Sequence, residues 1–484
     1  MKKIILYIVT TITLLSVNSC SDWLELIPPD GLVRNEYWQT KEDLKATLMG
    51  AYQAFAQLDE ILFELGELRG DMIVDDNSPA YLRNIMEGNI YPNNNLTNWA
   101  DFYEIINYVN NVLKYNPIIF DIDQTYSEYQ MLGTEAEALF IRSLAYFYLV
   151  RTFKDVPLVL EPSESDDVDF FLPKSADTTI LRIIKTDLLR ARQFVTGDYG
   201  SPEENKGRAT KAAINSLLAD ISLWNFEYED VIKFVEAVEV DEKDDYFLMQ
   251  SSSWFEIFYP GNSFEGIFEF QFDASLNQNN SLYDETYNDN YYLASLKALE
   301  LLDISKELNR GNGSINSNLK IWKYSGAYAD GKSLRPSSDR KSGNWIIYRL
   351  GDLLLMKAEA LSQLSRFDEA LEIVNNNRER VRTDLLSPPY TVNAFEDMIL
   401  QERAIELAFE GKRWFDLLRM GRRNNYSRKS ELIEILIENV PSTQKLVLAS
   451  KLTNPYGWYL PIEDVELERN KNLIQNPYYA DFTK

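Results

Sequence analysis

The chemistry open to this chain is bounded first by the residue types it lacks. Its 484 residues include no histidine and one cysteine, Cys20. That removes Ser-His-Asp and Cys-His nucleophiles, histidine-ligated zinc and imidazole general bases together. Carboxylate, tyrosine, lysine and serine chemistry remains, and two carboxylates suffice to hydrolyse a glycosidic bond. Among 75 Asp plus Glu, however, no pair is singled out by its spacing. Asp241-Glu242-Lys243-Asp244-Asp245 lacks the glycine and the ligand spacing of an EF-hand loop and reads as a solvated acidic turn. No cofactor and no metal are expected from the sequence, a structural calcium being left open.

Two stretches carry groups suited to holding a ligand rather than reacting with it. One contains Asp75, Asp76, Asn77, Tyr81, Arg83 and Tyr91; the other Tyr283, Tyr287, Asn288, Asp289, Asn290, Tyr291 and Tyr292, then Trp322, Tyr324 and Tyr328. A sugar ring offers a C–H face to flat aromatics and a rim of hydroxyls to amides, carboxylates and guanidinium groups. The candidate contacts are Asp76, Tyr81, Tyr283, Tyr287, Asn290, Tyr291, Trp322 and Tyr324. Any one tyrosine among them is an ordinary loop-packing residue, so the reading rests on the set. Trp99 is left out, because the family resemblance given below places it in a helix motif, where it reads as core.

The elements that must position these residues begin after an export signal. Lys2 and Lys3 precede the apolar run Ile4–Leu15, which is the length of a signal-peptide core and too short to span a bilayer. Cys20 follows directly, where lipoprotein processing would acylate it. Residues 1–19 are therefore expected to be removed, and 20–31 to form a tether stiffened by Pro28-Pro29. The formal net charge of −26 excludes nucleic acid as a partner, since counterion release needs the opposite sign. It also repels anionic lipid, which leaves a covalent acyl anchor as the route to a membrane.

The body reads as mostly helical. Phe140, Leu144, Phe147 and Tyr148 fall on one helical face, in a segment whose start is marked by the capping-box spacing Thr134/Glu137. A helical hairpin spans Leu353–Arg382, turning at Ser365-Arg366-Phe367. A similar pattern stands 139 positions earlier, around Ala219, Tyr228, Val231, Ile232 and Val235. Ile267–Phe272 alternates with period two and reads as a strand. The charged run Arg403, Glu410, Arg413 and Asp416, like Arg349 and Asp352, reads as ion pairing that locks helices together.

With these blocks in order along the chain, the sequence resembles the SusD/RagB family of outer-membrane nutrient-binding lipoproteins. The resemblance runs through Glu36-Tyr37-Trp38 and Gly50-Ala51-Tyr52, then Trp99, Tyr103, Ile106 and Asn110. It continues through Glu135 to Pro157 with Arg142, Tyr146-Phe147, Arg151 and Asp155-Val156-Pro157, where Lys154 stands at a usual glycine. Gly207-Arg208-Ala209-Thr210-Lys211 follows, then Arg349 with Asp352, Glu402-Arg403, Phe409-Glu410-Gly411, Arg413-Trp414-Phe415-Asp416, Tyr459-Leu460-Pro461 and Asn476-Pro477-Tyr478. It implies a mostly α SusD-like fold with four tetratricopeptide-like helical hairpins, loop-rich inserts and a few short strands. In that fold an N-terminal region, 32–225, and a C-terminal region, 226–484, pack as one unit. Asp22 and Glu25 resemble the signal that sends such lipoproteins to the extracellular face of the outer membrane. The resemblance further implies a SusC-like, TonB-dependent transporter as partner, over which the protein sits as a hinged lid delivering oligosaccharide or peptide.

Three functions then compete: non-catalytic capture of a glycan, a surface glycoside hydrolase using two carboxylates, and a peptide-binding or structural surface protein. Release of reducing ends would favour the second. Co-purification with a barrel in the absence of any small ligand would favour the third.

Overall fold

The computed structural model describes residues 37–163, 170–241, 245–303, 308–328, 332–389, 391–438, 440 and 442–480. Cys20, the leader and the tether lie outside them, as does the middle of the 241–245 acidic run. None of the described helices is long and apolar enough to cross a membrane.

The fold opens with α1 (Lys41–Ala56), capped by Thr40 and Asp43 in a reciprocal box, and the short α2 (Asp59–Glu67). Strand β1 (Ile73–Asp75) and α3 (Ala80–Met86) follow. Then come the long α4 (Ala100–Ile122) and α5 (Glu128–Phe153). Helix α5 starts six residues before the expected Thr134: Ser127 and Gln130 form the box that caps it, and Thr134 lies inside the helix. From Ala136 to Phe153 it is buried on every side, so the single face read from sequence is part of a helix enclosed all round. Its last residue is followed by Lys154 at φ +70°, a conformation that L side chains rarely adopt. That is the physical reason a glycine suits this position.

β2 (Val156–Pro157) pairs with β3 (Lys174–Ser175), after which α6 (Asp177–Phe194) returns along α5. The short α7 (Pro202–Gly207) leads into the hairpin α8 (Lys211–Trp224) and α9 (Tyr228–Asp241). Positions 225 and 226 form the turn of this hairpin. The central insert contains β4 (Gly266–Phe270), β5 (Tyr292–Ala294), α10 (Leu296–Leu301) and α11 (Leu308–Ser314). β6 (Trp345–Arg349) then opens the hairpin α12 (Leu350–Gln363) and α13 (Phe367–Arg380). Moved back 139 positions, the bounds of α12 and α13 become those of α8 and α9. The left-handed turn residue keeps the same register, Ser365 at φ +62° and Phe226 at +63°. α14 (Val392–Glu406), α15 (Arg413–Tyr426), α16 (Lys429–Glu438), α17 (Ser442–Leu452) and α18 (Asp464–Arg469) complete the body.

β4 and β6 pair antiparallel at the centre. The strand read in Ile267–Phe272 is present, and every residue of β4 is buried, Glu269 included, with helices packed against it. There the Glu269 Oε2 accepts from the Asn344 side chain at 3.0 Å and from the Asn262 amide at 3.1 Å, and burial raises its carboxyl above the usual range. The charged run does lock elements together. Arg403 bridges Asp352 and Asp416, each at 2.8 Å, and Arg413 pairs with Asp71 at 2.6 Å, all of them buried.

Candidate ligand-binding site

The two polar, aromatic stretches are some two hundred residues apart in sequence and become one surface through a short ribbon. β1 pairs antiparallel with β5 in the register Ile73↔Ala294, Val74↔Leu293 and Asp75↔Tyr292. Two bonds extend the ladder into the loops: the Asp76 amide donates to the Tyr291 carbonyl and the Asn77 amide to that of Asn290, both at 3.1 Å. Asn290 sits at φ +53°, which an asparagine tolerates better than most side chains. The Ser78 hydroxyl and amide close a turn on the Asp75 carboxylate.

Beyond the ribbon, Asp284–Asn288 forms one wide turn, closed by the Asp289 amide on the Asp284 carbonyl at 2.7 Å. Four-residue spacing across that turn stacks Tyr283 on Tyr287, with centroids 5.7 Å apart and planes 21° from parallel. Both rings are half-buried. Cations support them: Arg340 donates to the Tyr283 hydroxyl at 3.1 Å, and Lys320 lies 4.9 Å from the Tyr287 ring centre. Lys320 is fixed by donating to the Tyr287 carbonyl at 3.0 Å, while Lys341 pairs with Asp284.

Of the other expected contacts, Asp76 is exposed beside Asn290, and Tyr291 is half-buried with its ring edge-on to Tyr292. Tyr81 is half-buried on α3, its hydroxyl pushed up by burial and then by Glu64, Glu60 and Glu285. The structure corrects the expectation for Trp322 and Tyr324. They are only 5% and 3% exposed. Trp322 donates its indole N–H to the Asn312 carbonyl at 2.8 Å, and Tyr324 packs against Trp345 and Phe258 with centroids 5.1 and 5.4 Å away. Both are interior residues, so neither ring can cover a ligand.

Sequence reasoning missed the buried acids of α2. Asp59, Glu64 and Glu67 of α2 point inward, where burial raises Asp59 to about 6 and Glu67 to about 8. Asp59 accepts the Ser281 amide at 2.7 Å, and Glu64 the Tyr292 hydroxyl at 3.1 Å. Glu285 reaches the same place from the turn between the stacked tyrosines. The available signal was four carboxylates within nine residues of α2, with no lysine or arginine among them.

Comparison with known proteins agrees with this architecture. Residues 22–223 match the family described as starch-binding, associating with outer membrane, and residues 258–479 match the SusD family. A SusD-like protein, P38, of Formosa agariphila is 28% identical, over 86% of this chain and 91% of the relative. A SusD-like protein of Bacteroides ovatus is 25% identical, over 86% of this chain and 82% of its own length. A SusD superfamily crystal structure from Bacteroides vulgatus superposes with a TM-score of 0.76 at 19% identity, covering 91% of this chain and all of that one. A laminarin-binding SusD-like protein superposes at 0.73 and 20% identity, over 91% of this chain and 99% of its own. The paired helical hairpins, the buried ion pairs at Arg349, Arg403 and Arg413, and two family matches that together take in nearly the whole body place this chain in the SusD/RagB family.

Proposed function

We propose that this protein captures oligosaccharide at the outer surface of the outer membrane, held there by acylated Cys20, and passes it without chemistry to a SusC-like, TonB-dependent transporter. The observation that carries the reading is the Tyr283/Tyr287 stack. It is a half-buried pair of rings, backed by Arg340 and Lys320, on the turn that leads into the β1–β5 ribbon, at whose end Asp76 is exposed. Rings cover the sugar face and the polar groups take its hydroxyls. The laminarin-binding neighbour and the starch-binding description of the N-terminal match support a glycan as the ligand class. Against hydrolysis stands the burial of Glu64 and Glu285 in the carboxylate cluster at this site, where a scissile bond does not reach them.

Calorimetric titration of the purified body with starch, β-glucan and other oligosaccharides, alongside peptides, tests this directly. One glycan class binds with micromolar to millimolar affinity and no new reducing ends appear. Covering half a tyrosine ring is worth roughly 2 kcal/mol, so Tyr287→Ala weakens binding about 30-fold at unchanged melting temperature. Reducing ends, or binding indifferent to both Tyr283→Ala and Tyr287→Ala, would overturn the assignment.

A further inference from the structure

Among the described residues, the two cations that back the tyrosine stack have no carboxylate partner. Arg340 donates through Nε to the Arg335 carbonyl at 2.9 Å and through Nη1 to the Tyr283 hydroxyl at 3.1 Å, which leaves its Nη2 without a partner. Lys320 donates to the Tyr287 carbonyl at 3.0 Å and makes no ion pair. Both residues are half-buried. In a chain with 75 acidic and 49 basic residues, counter-charges are plentiful. Arg349, Arg403, Arg413 and Arg419 all have theirs, and beside the stack Lys341 is taken by Asp284. Asp76 and Asp289, exposed acids of the same inserts, pair with neither Arg340 nor Lys320. A half-buried cation without a counter-ion has lost part of its hydration and regained nothing from a carboxylate, which suits it to an anion supplied from outside. The two backbone carbonyls also hold these side chains in place beforehand, so little freedom remains to be lost on binding.

We infer that the tyrosine site selects an acidic glycan, one whose sugars carry carboxylate or sulfate groups, with Arg340 and Lys320 as the residues that take these oxyanions. The inference rests on the glycan reading above and names the class of sugar. A guanidinium presents adjacent N–H groups to an oxyanion, and a bond between two ionised groups is stronger than one to a sugar hydroxyl. The net charge of −26 does not oppose this at close range. At about 0.15 M salt, exposed charges more than about 8 Å away are largely screened, so the ligand meets the local cations first.

Calorimetry on the full chain in detergent tests it with a short oligogalacturonate, the same oligomer with its carboxyl groups reduced to alcohols, and a sulfated galactan oligosaccharide. At least one charged oligomer should bind about tenfold or more tighter than the neutral one, an advantage that shrinks as NaCl rises from about 0.05 to about 0.5 M. Which charged oligomer binds more tightly tells carboxylate from sulfate. In Arg340→Gln the ratio of charged to neutral affinity should fall to about threefold or less, and Lys320→Gln carries the same expectation should the first variant fail to fold. Equal affinity for charged and neutral oligomers, both lost in Tyr287→Ala, would overturn the acidic-glycan inference and leave the glycan reading standing. A preference for charge that survives both cation substitutions would overturn it too. Silence from every oligosaccharide would remove the glycan reading and this inference together.

Discussion

Arg349 illustrates how much of this molecule is decided by single side chains. Its guanidinium is fully buried and all five of its N–H groups are used. Nε donates to Glu410, Nη1 to Glu265 and Glu406, and Nη2 to Glu410 and to the Glu406 carbonyl, at 2.6–2.9 Å. The same carboxylates also hold Arg310, Lys323 and Arg380, so opposite charges interlock away from water. Removing one partner of a buried pair strips its carboxylates of their donors, which typically costs about 3–5 kcal/mol. Arg349→Ala should therefore lower the urea midpoint sharply or abolish soluble expression. Arg366→Ala, which breaks the exposed pair with Glu369, should leave the urea midpoint nearly unchanged. Equal effects of the two would contradict the network. The sequence reading marked Arg349 and Glu410 as structural, but Glu265, Arg310 and Lys323, which complete the network, come from distant segments that no local pattern connects.

At the scale of elements, α2 is the unexpected one. It is short, acidic, and turned inward because it is wedged against the loop before α15, where the Gly411 and Lys412 amides donate to Glu67 at 2.9 and 3.3 Å. Gly66 lies so close to Gly411 that an added Cβ would come within 2.0 Å of its carbonyl oxygen. This contact joins the beginning of the body to its end. Burial raises Glu67 to about 8, above the ordinary carboxylate value of 4.5. Between those values the unfolded chain releases a proton that the folded chain keeps, so this group's contribution to stability falls as pH rises from about 4.5 to 8 and is flat above. Glu67→Gln keeps an acceptor for Gly411 and loses the titration. Its stability relative to wild type should rise by progressively more from pH 5 to pH 8, read from urea midpoints across pH. A pH-independent difference would show that Glu67 is ionised in the fold.

The whole molecule combines a repeat-like helical scaffold with a single composite surface. The hairpins α8–α9 and α12–α13 share bounds at a 139-residue offset, whereas the inserts between them do not repeat and carry the tyrosines. With a net charge of −26 and no basic patch in its sequence, the body itself has no electrostatic hold on anionic lipid. Membrane attachment should then depend on one atom, the Cys20 sulfur. Cys20→Ala should move the protein from the membrane fraction into the soluble fraction of fractionated cells, with its melting temperature unchanged. Retention in the membrane would point to attachment through a protein partner instead.

Composition and local pattern alone settled the absence of histidine chemistry, the acidic balance, the helical class and the hairpin at Ser365. Each follows from residue type or from a period of a few residues, which neighbours in sequence specify. Tertiary structure decided the rest. β1 and β5 brought the inserts together, placing Asp76 and Asn77 beside Tyr291 and Asn290. Packing drew Trp322 and Tyr324 into the core, although their composition matched that of the surface tyrosines. It also set Glu285 against Glu60 and Glu64. These contacts join residues more than two hundred positions apart, or turn on which side of a loop faces inward, and only the closed packing of the whole chain determines either.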